Sequence, residues 1–128
     1  MNNHQKNVLE FHERYGCDTM YTPTLPDAQA LLLRMRLIAE EAAECLKACS
    51  NRDMVELVDG LCDVLYVTYG AAVTMGVDLE PVFAEVQRSN MTKEDGGRDA
   101  GGKIIKGPNF TPPDILGELK KQGWNEES

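Results

Sequence analysis

Two acidic clusters set inside apolar, helically spaced runs constrain this chain more than any other feature. Glu40, Glu41 and Glu44 form the first; Glu56 and Asp59 form the second, with Asp63 one turn further on. A carboxylate in an apolar run is costly unless something compensates it. At about 100° per residue, Glu41 and Glu44 lie about 60° apart on one helix face, with Glu40 beside Glu44. Glu56, Asp59 and Asp63 share an arc of about 60° on the next helix. Like charges in facing stripes repel, and take up protons unless cations sit between them. Oxygen ligands with no Cys or His among them point to a hard ion, Mg²⁺ or else Mn²⁺.

The competing reading is a solvated helix face, the usual place of Glu on a helix. Three details oppose it. Lys47 is the only basic residue between Ile38 and Cys49, so the charges do not alternate as surface ion pairs do. The second stripe runs on into Val67 and Gly70, which is no solvated face. Each cluster also holds an i, i+3 pair, a spacing that lets two carboxylates reach one ion.

A chain of 128 residues suits a single domain, with a core over residues 7–93 and a loop and tail over 94–128. No basic leader precedes an apolar segment, no uncharged apolar stretch nears 18 residues, and no lipidation signal is present, so a cytoplasmic protein with no membrane partner is expected. Cys45 and Cys49, one turn apart, read as small buried apolar residues rather than disulfide partners. A zinc site would need a fourth ligand from His4 or His12 at no recognised spacing. The net charge of −8 speaks against nucleic-acid binding through a broad basic surface. Setting aside the six clustered carboxylates leaves 15 acidic residues against 13 basic ones, so most of the imbalance resides in the proposed metal site. Bound cations reverse the local sign and admit a phosphate.

Taken in order, residues 7–15 read as a short amphipathic helix with Val8, Leu9, Phe11 and Tyr15 on its apolar side, ended by Gly16. A linker with Pro23 and Pro26 leads to a second helix over 26–48, Pro26 falling in its first turn and Asp27 near its positive end. Met35, Ile38, Ala39, Ala42, Ala43, Leu46 and Cys49 form its apolar stripe. Residues 50–53 make a tight connection, so the third helix, 53–75, returns antiparallel with Leu57, Val58, Leu61, Val64 and Leu65 facing a core. A hairpin pivoting near Ser50 sets Glu41 and Glu44 opposite Glu56 and Asp59. Gly76 ends the third helix, and Asp78 caps a fourth over 79–91 with Val82, Phe83 and Val86 on its apolar face. Beyond Glu94, closely spaced Gly and Pro exclude a long helix, and Arg98, Lys103 and Lys106 make the loop basic. Residues 103–106 suit a short strand, residues 113–121 a terminal helix, and Trp124 is expected to dock on a neighbour. The architecture predicted is all-α: an antiparallel four-helix core, a Gly/Pro-rich basic C-terminal loop and a short terminal helix.

At the two clusters the chain resembles the MazG-like all-α nucleoside triphosphate pyrophosphohydrolases, whose signature is Glu-Glu-x-x-Glu followed by Glu-x-x-Asp on the next helix. These are Glu40, Glu41 and Glu44, then Glu56 and Asp59. The phosphoribosyl-ATP pyrophosphohydrolase-like branch is closest, on Glu10-Phe11-His12, residues 22–26, Asp63-Val64-Leu65-Tyr66-Val67, residues 88–93 and residues 102–108. Gln87 departs from that branch, which carries His there. The resemblance implies a homodimer or homotetramer that hydrolyses a (deoxy)nucleoside triphosphate to monophosphate and pyrophosphate with Mg²⁺. In-line attack of water on the α-phosphorus needs a nucleophile made at neutral pH and neutralised phosphates, and bound Mg²⁺ serves both needs. Glu41, Glu44, Glu56 and Asp59 are the expected ligands, Asp63 supplementary, and Glu40 the expected base. Lys93 becomes a phosphate contact and Asn90 a sugar or phosphate contact, with Arg98, Lys103 and Lys106 as clamps over the triphosphate. Tyr66, Tyr69 and Phe83 are candidates to flank a base, although aromatics at helical spacing more often serve a core.

Nucleotide-pool cleaning leads, with dUTP and dCTP as first substrates to test. Phosphoribosyl-ATP hydrolysis uses the same site. A non-catalytic helical oligomerisation module is the third reading. A di-iron site is disfavoured, because no Glu-x-x-His pair exists and His4 and His12 lie outside the bundle helices.

Overall fold

A computed structural model describes residues 1–126. It contains α1 (Asn3–Tyr15), α2 (Ala28–Ser50), α3 (Met54–Met75), α4 (Leu79–Asn90) and α5 (Ile115–Lys121), and no strand among the described residues. The molecule is all-α, as its sequence pattern predicts. Each helix starts on a short polar side chain that accepts a bond from the first turn: Asn2, Asp27, Asp53, Asp78 and Asp114.

The caps correct two boundaries. Capped by Asn2, α1 begins at Asn3, four residues before the expected position, and the added turn buries Gln5, which a count of apolar residues passes over. Both ends of its amide are bonded: Nε2 donates to the Val77 carbonyl at 2.7 Å, and Oε1 accepts from the Leu79 amide at 3.1 Å. Pro26 lies outside α2, because Asp27 itself takes the cap position, and the helix runs on to Ser50.

α2 and α3 form an antiparallel hairpin about a turn at residues 51–53, and α1 packs on the C-terminal half of α3. Gly60 meets Cys45 across the hairpin, where a Cβ would lie 2.8 Å from the thiol sulfur. The linker after α1 ties down the end of α3: the Met20 amide donates to Val73 at 3.1 Å, and the Thr24 amide to Met75 at 2.8 Å. Gly76 ends α3 with φ +68°, and a side chain there would run into the Thr22 carbonyl.

The predicted apolar stripes are present, but much of their surface faces outward. Met35 (44 %), Leu46 (72 %), Val58 (51 %), Leu61 (54 %), Leu65 (57 %) and Phe83 (72 %) are exposed in the single chain. Ala39, Ala42, Ala43 and Cys49 are exposed as well, and Cys45 is half-buried, so the cysteines are not the core residues expected; all four are free thiols. The reason lies in the packing: α4 sits on α5 rather than along the outer face of the hairpin. Among the described residues the buried apolar side chains are the modest set Val8, Ala48, Ala71, Ala72 and Val73. α3 is long and apolar enough to cross a membrane by length and composition, yet it carries Glu56, Asp59 and Asp63 and packs on α1 and α2.

Between α4 and α5 the chain forms an arm. Its predicted strand reduces to one antiparallel bridge between Arg98 and Ile104. Where its two limbs cross, Gly96 and Gly107 let backbone lie against backbone: a side chain on Gly96 would meet the Ile105 carbonyl, and one on Gly107 the Glu94 carbonyl. Trp124 is half-buried and borders Pro23, Leu25, Met75 and Leu119, the docking its position suggests.

Candidate metal and active site

Hairpin geometry brings the six acids together. Glu40, Glu41 and Glu44 from α2, and Glu56, Asp59 and Asp63 from α3, line one cleft of about 380 Å³, with Gly60 as its remaining wall. The register differs from the expected one: the hairpin pivots at residues 51–53 rather than near Ser50 and sets Gly60 against Cys45, so Glu41 stands level with Asp63 rather than with Asp59, and Glu56 lies nearer the turn. Glu41 and Asp63 are half-buried, and the other four are exposed. Among the described residues no ion pair reaches any of the six. Lys47 lines an adjoining hollow with Glu44, Asn51, Asp53 and Glu56.

The electrostatic cost falls on Glu41. Its carboxyl is held above the ordinary carboxylate range, first by desolvation between the helices, then by the negative charges of Asp63, Glu44, Asp59 and Glu40. Among the described residues no three His, Cys, Asp or Glu side chains converge as a ready-made ion-binding group; the acids share a cleft rather than a closed ligand shell. Their chemistry is nonetheless that of a hard-cation site: oxygen donors only, an excess of negative charge, and one carboxyl driven toward protonation in the ion's absence.

The basic candidates stand elsewhere. Asn90 ends α4, and Lys93 is half-buried one turn beyond it. Arg98 donates to the Gly102 carbonyl at 2.9 Å, Lys103 is exposed, and the Lys106 ammonium sits 4.8 Å from the centroid of the Phe110 ring. None of the five lines the cleft of its own chain. Of the aromatic candidates, Tyr66 lies edge-on to Phe11 at 5.7 Å, and the Tyr69 hydroxyl accepts from Asn2 at 3.0 Å. Both are occupied by packing, and Phe83 is exposed.

Two residues escaped the reading of the sequence. Arg34 is buried at 9 % exposure, with its Nε lacking a hydrogen-bond partner among the described residues, and its guanidinium and the His12 imidazole both crowd the space over Gly70. His12 Nδ1 lies 3.0 Å from the Asp18 carbonyl, and burial lowers its pKa, so it is a neutral imidazole that donates from Nδ1. The signal for Arg34 was spacing: it precedes Glu41 by two turns, as Gly70 follows Asp63 by two, so both continue the line of the acids.

Residues 9–90 match the phosphoribosyl-ATP pyrophosphohydrolase family, a span that includes both acid clusters and ends at Asn90. An uncharacterized protein of Acanthamoeba polyphaga mimivirus, L479, is 32 % identical over 77 residues, 57 % of this chain and 31 % of that protein. The chain therefore spans less than a third of that curated relative's length. With the matched segment covering well over half of its residues, this chain belongs to the phosphoribosyl-ATP pyrophosphohydrolase family, within the MazG-like superfamily.

Proposed function

We propose that the chain hydrolyses the α–β phosphoanhydride of a (deoxy)nucleoside triphosphate, releasing the monophosphate and pyrophosphate in nucleotide-pool cleaning. The observation that carries this reading is the cleft itself: six carboxylates lining one cavity, in no ion pair among the described residues, in a chain of this family. Glu41, Glu44, Glu56 and Asp59 hold Mg²⁺, with Mn²⁺ as a substitute and Asp63 as a supplementary ligand. When bound, the ion neutralises phosphate charge and makes water a stronger nucleophile at neutral pH. Glu40, on the exposed rim, orients the attacking water and accepts its proton. A P–O bond forms at the α-phosphorus, the bridging α–β P–O bond breaks, and its electron pair leaves with pyrophosphate. Asn90 and Lys93 contact sugar or phosphate, and Arg98, Lys103 and Lys106 clamp the outer phosphates. The working unit is a homodimer or homotetramer in the cytoplasm, supported by the exposed apolar face of the hairpin.

The family match supports a second substrate equally: phosphoribosyl-ATP, cleaved at the same bond by the same residues. One assay separates the two. Canonical and modified (d)NTPs, with dUTP and dCTP first, are incubated beside phosphoribosyl-ATP with Mg²⁺ while pyrophosphate is followed. Turnover of a (d)NTP supports the leading reading, and release from phosphoribosyl-ATP alone replaces it. No release from any substrate, with Mg²⁺ leaving the melting temperature unchanged, leaves the helical oligomerisation module.

A further inference from the structure

Three levels follow one another along the hairpin, away from its connecting turn. Glu41 stands level with Asp63, the two half-buried acids of the cleft. One turn further come Ile38 and Val67, both half-buried, and one turn beyond them Arg34 meets Gly70. Seven residues separate Glu41 from Arg34, and Asp63 from Gly70. That is a shift of about 10 Å along each helix with only about 20° of rotation. Acids, an apolar floor and a buried cation therefore share one face. We propose that the Arg34 guanidinium is a specificity-determining group that donates to a ring carbonyl of the substrate's nucleobase, seating uracil, cytosine or guanine in preference to adenine. The inference rests on the reading of the acidic cleft as the hydrolytic site, and assigns the end of the substrate remote from the metal.

Arg34 is a charge without a counterpart. It is 9 % exposed, it forms no ion pair among the described residues, and its Nε has no hydrogen-bond partner among them. A guanidinium held between helices in that state opposes folding unless something from outside the chain satisfies it. The surroundings are shaped to keep it there. Arg34 Nη1 and His12 Nε2 each lie 3.3 Å from the point a Cβ on Gly70 would take, so the missing side chain lets α3 come up against both. The imidazole is fixed in turn: its Nδ1 donates to the Asp18 carbonyl at 3.0 Å, and Thr74 Oγ1 donates to the same carbonyl at 2.9 Å. His12 is thus a neutral ring with no proton on Nε2, and it adds no second charge beside Arg34.

The chemistry of the missing partner follows from this setting. The metal takes the phosphates at the acids, so a group arriving two turns away belongs to the nucleoside end. A phosphate is ill matched there, since one guanidinium beside a neutral ring and an apolar floor does not neutralise a dianion. A neutral carbonyl oxygen is satisfied by a single charge-assisted donor. Uracil, cytosine and guanine each carry a ring carbonyl. Adenine carries none, and its exocyclic amine sets donors against a guanidinium that only donates. A donor left facing a donor discriminates between substrates more sharply than a change of apolar bulk does. Ile38 and Val67, between the two polar levels, supply the apolar floor along which the nucleoside lies.

Base preference tests this. The ratio kcat/KM is measured with Mg²⁺ for dUTP, dCTP, dGTP and dATP, on the parent chain and on R34M, which keeps an unbranched side chain and removes its charge. In the parent, at least one carbonyl-bearing triphosphate is expected to exceed dATP by about tenfold or more. In R34M that preference is expected to shrink to within about threefold, with the loss falling in KM rather than kcat. Its melting temperature is expected to equal or exceed the parent's, because an uncompensated buried charge is gone. A parent without the preference, or an R34M chain that keeps it, overturns the proposal and leaves the hydrolytic reading standing. A parent that releases pyrophosphate from none of the four refutes the hydrolytic reading instead. Base recognition is then read without turnover and without a variant, from melting shifts of the parent with Mg²⁺ and dUMP, dCMP, dGMP or dAMP at one concentration. The same measurement decides if R34M fails to fold. A larger shift with a carbonyl-bearing nucleotide than with dAMP supports the proposal; equal shifts, or the largest with dAMP, overturn it.

Discussion

Along the α2–α3 hairpin six carboxylates share one cleft with no cation paired to any of them among the described residues, whereas at the end of α4 Glu85, Arg88, Ser89 and Thr92 all bond to one another or to residues 111–114. The same charge type behaves in opposite ways. The Arg88 guanidinium, then the Asp114 amide, hold the Glu85 carboxyl down to about 2, while burial and four like charges push Glu41 up. A carboxylate whose bonds are complete holds structure in place; one crowded by its own kind is poised for something that arrives from outside the chain.

Removing the crowding breaks the contrast most severely. E41Q with E56Q is expected to lower turnover by about 10²-fold or more, read as pyrophosphate release with Mg²⁺. The same change has an opposite effect on folding. Glu41 has a folded-state pKa above its ordinary 4.5, so the stability it contributes is present at low pH and is lost as pH rises through that raised value. At neutral pH without divalent ions its charge opposes folding, and E41Q alone raises the melting temperature. Mg²⁺ supplies the complementary test: at a hundred times its Kd it stabilises the parent by about 2.7 kcal/mol, and the melting shift shrinks in the double variant.

The arm side breaks through its backbone. G107A drives a Cβ into the Glu94 carbonyl and is expected to cost about 1–3 kcal/mol locally. Hydrogen exchange then speeds at residues 94–107, while amides of α2 and α3 keep their protection. D53A removes the side-chain oxygen that accepts from the Glu56 amide at 3.1 Å, and denaturant melts are expected to show a loss of about 1 kcal/mol. The smallest effect belongs to His12. Its folded pKa lies below 6.5, so the unfolded chain takes the proton first, and stability falls as pH drops below that value. H12N keeps a donor near the Asp18 carbonyl, and its melting temperature is expected to vary less between pH 7 and pH 5.

Much of this was legible in residue order. Asp78, Gly16, Gly76 and the antiparallel return marked the helices and brought the two acid clusters to one cleft, because capping and hairpin turns are local rules, whereas the register of the hairpin moved with its pivot from Ser50 to residues 51–53. Gln5 was not legible, since a polar side chain enters the interior only when distant backbone at residues 77 and 79 meets both ends of its amide. Nor was the fate of Leu46, Val58 and Leu61: periodicity marks an apolar face without saying whether the covering surface belongs to the same chain. Arg34 hid for a related reason, as a basic residue two positions from Arg36 reads as solvent-facing until Gly70 is seen opposite it.

The paired glycines at 96 and 107 separate the arm's mounting from its cargo. Main chain resting on main chain sets where the arm points, so the groups at 98, 103 and 106 can be exchanged among Arg, Lys and neutral residues without redirecting it. The path of the arm therefore depends on the crossing keeping its two missing side chains, and not on the length or charge of the groups it carries.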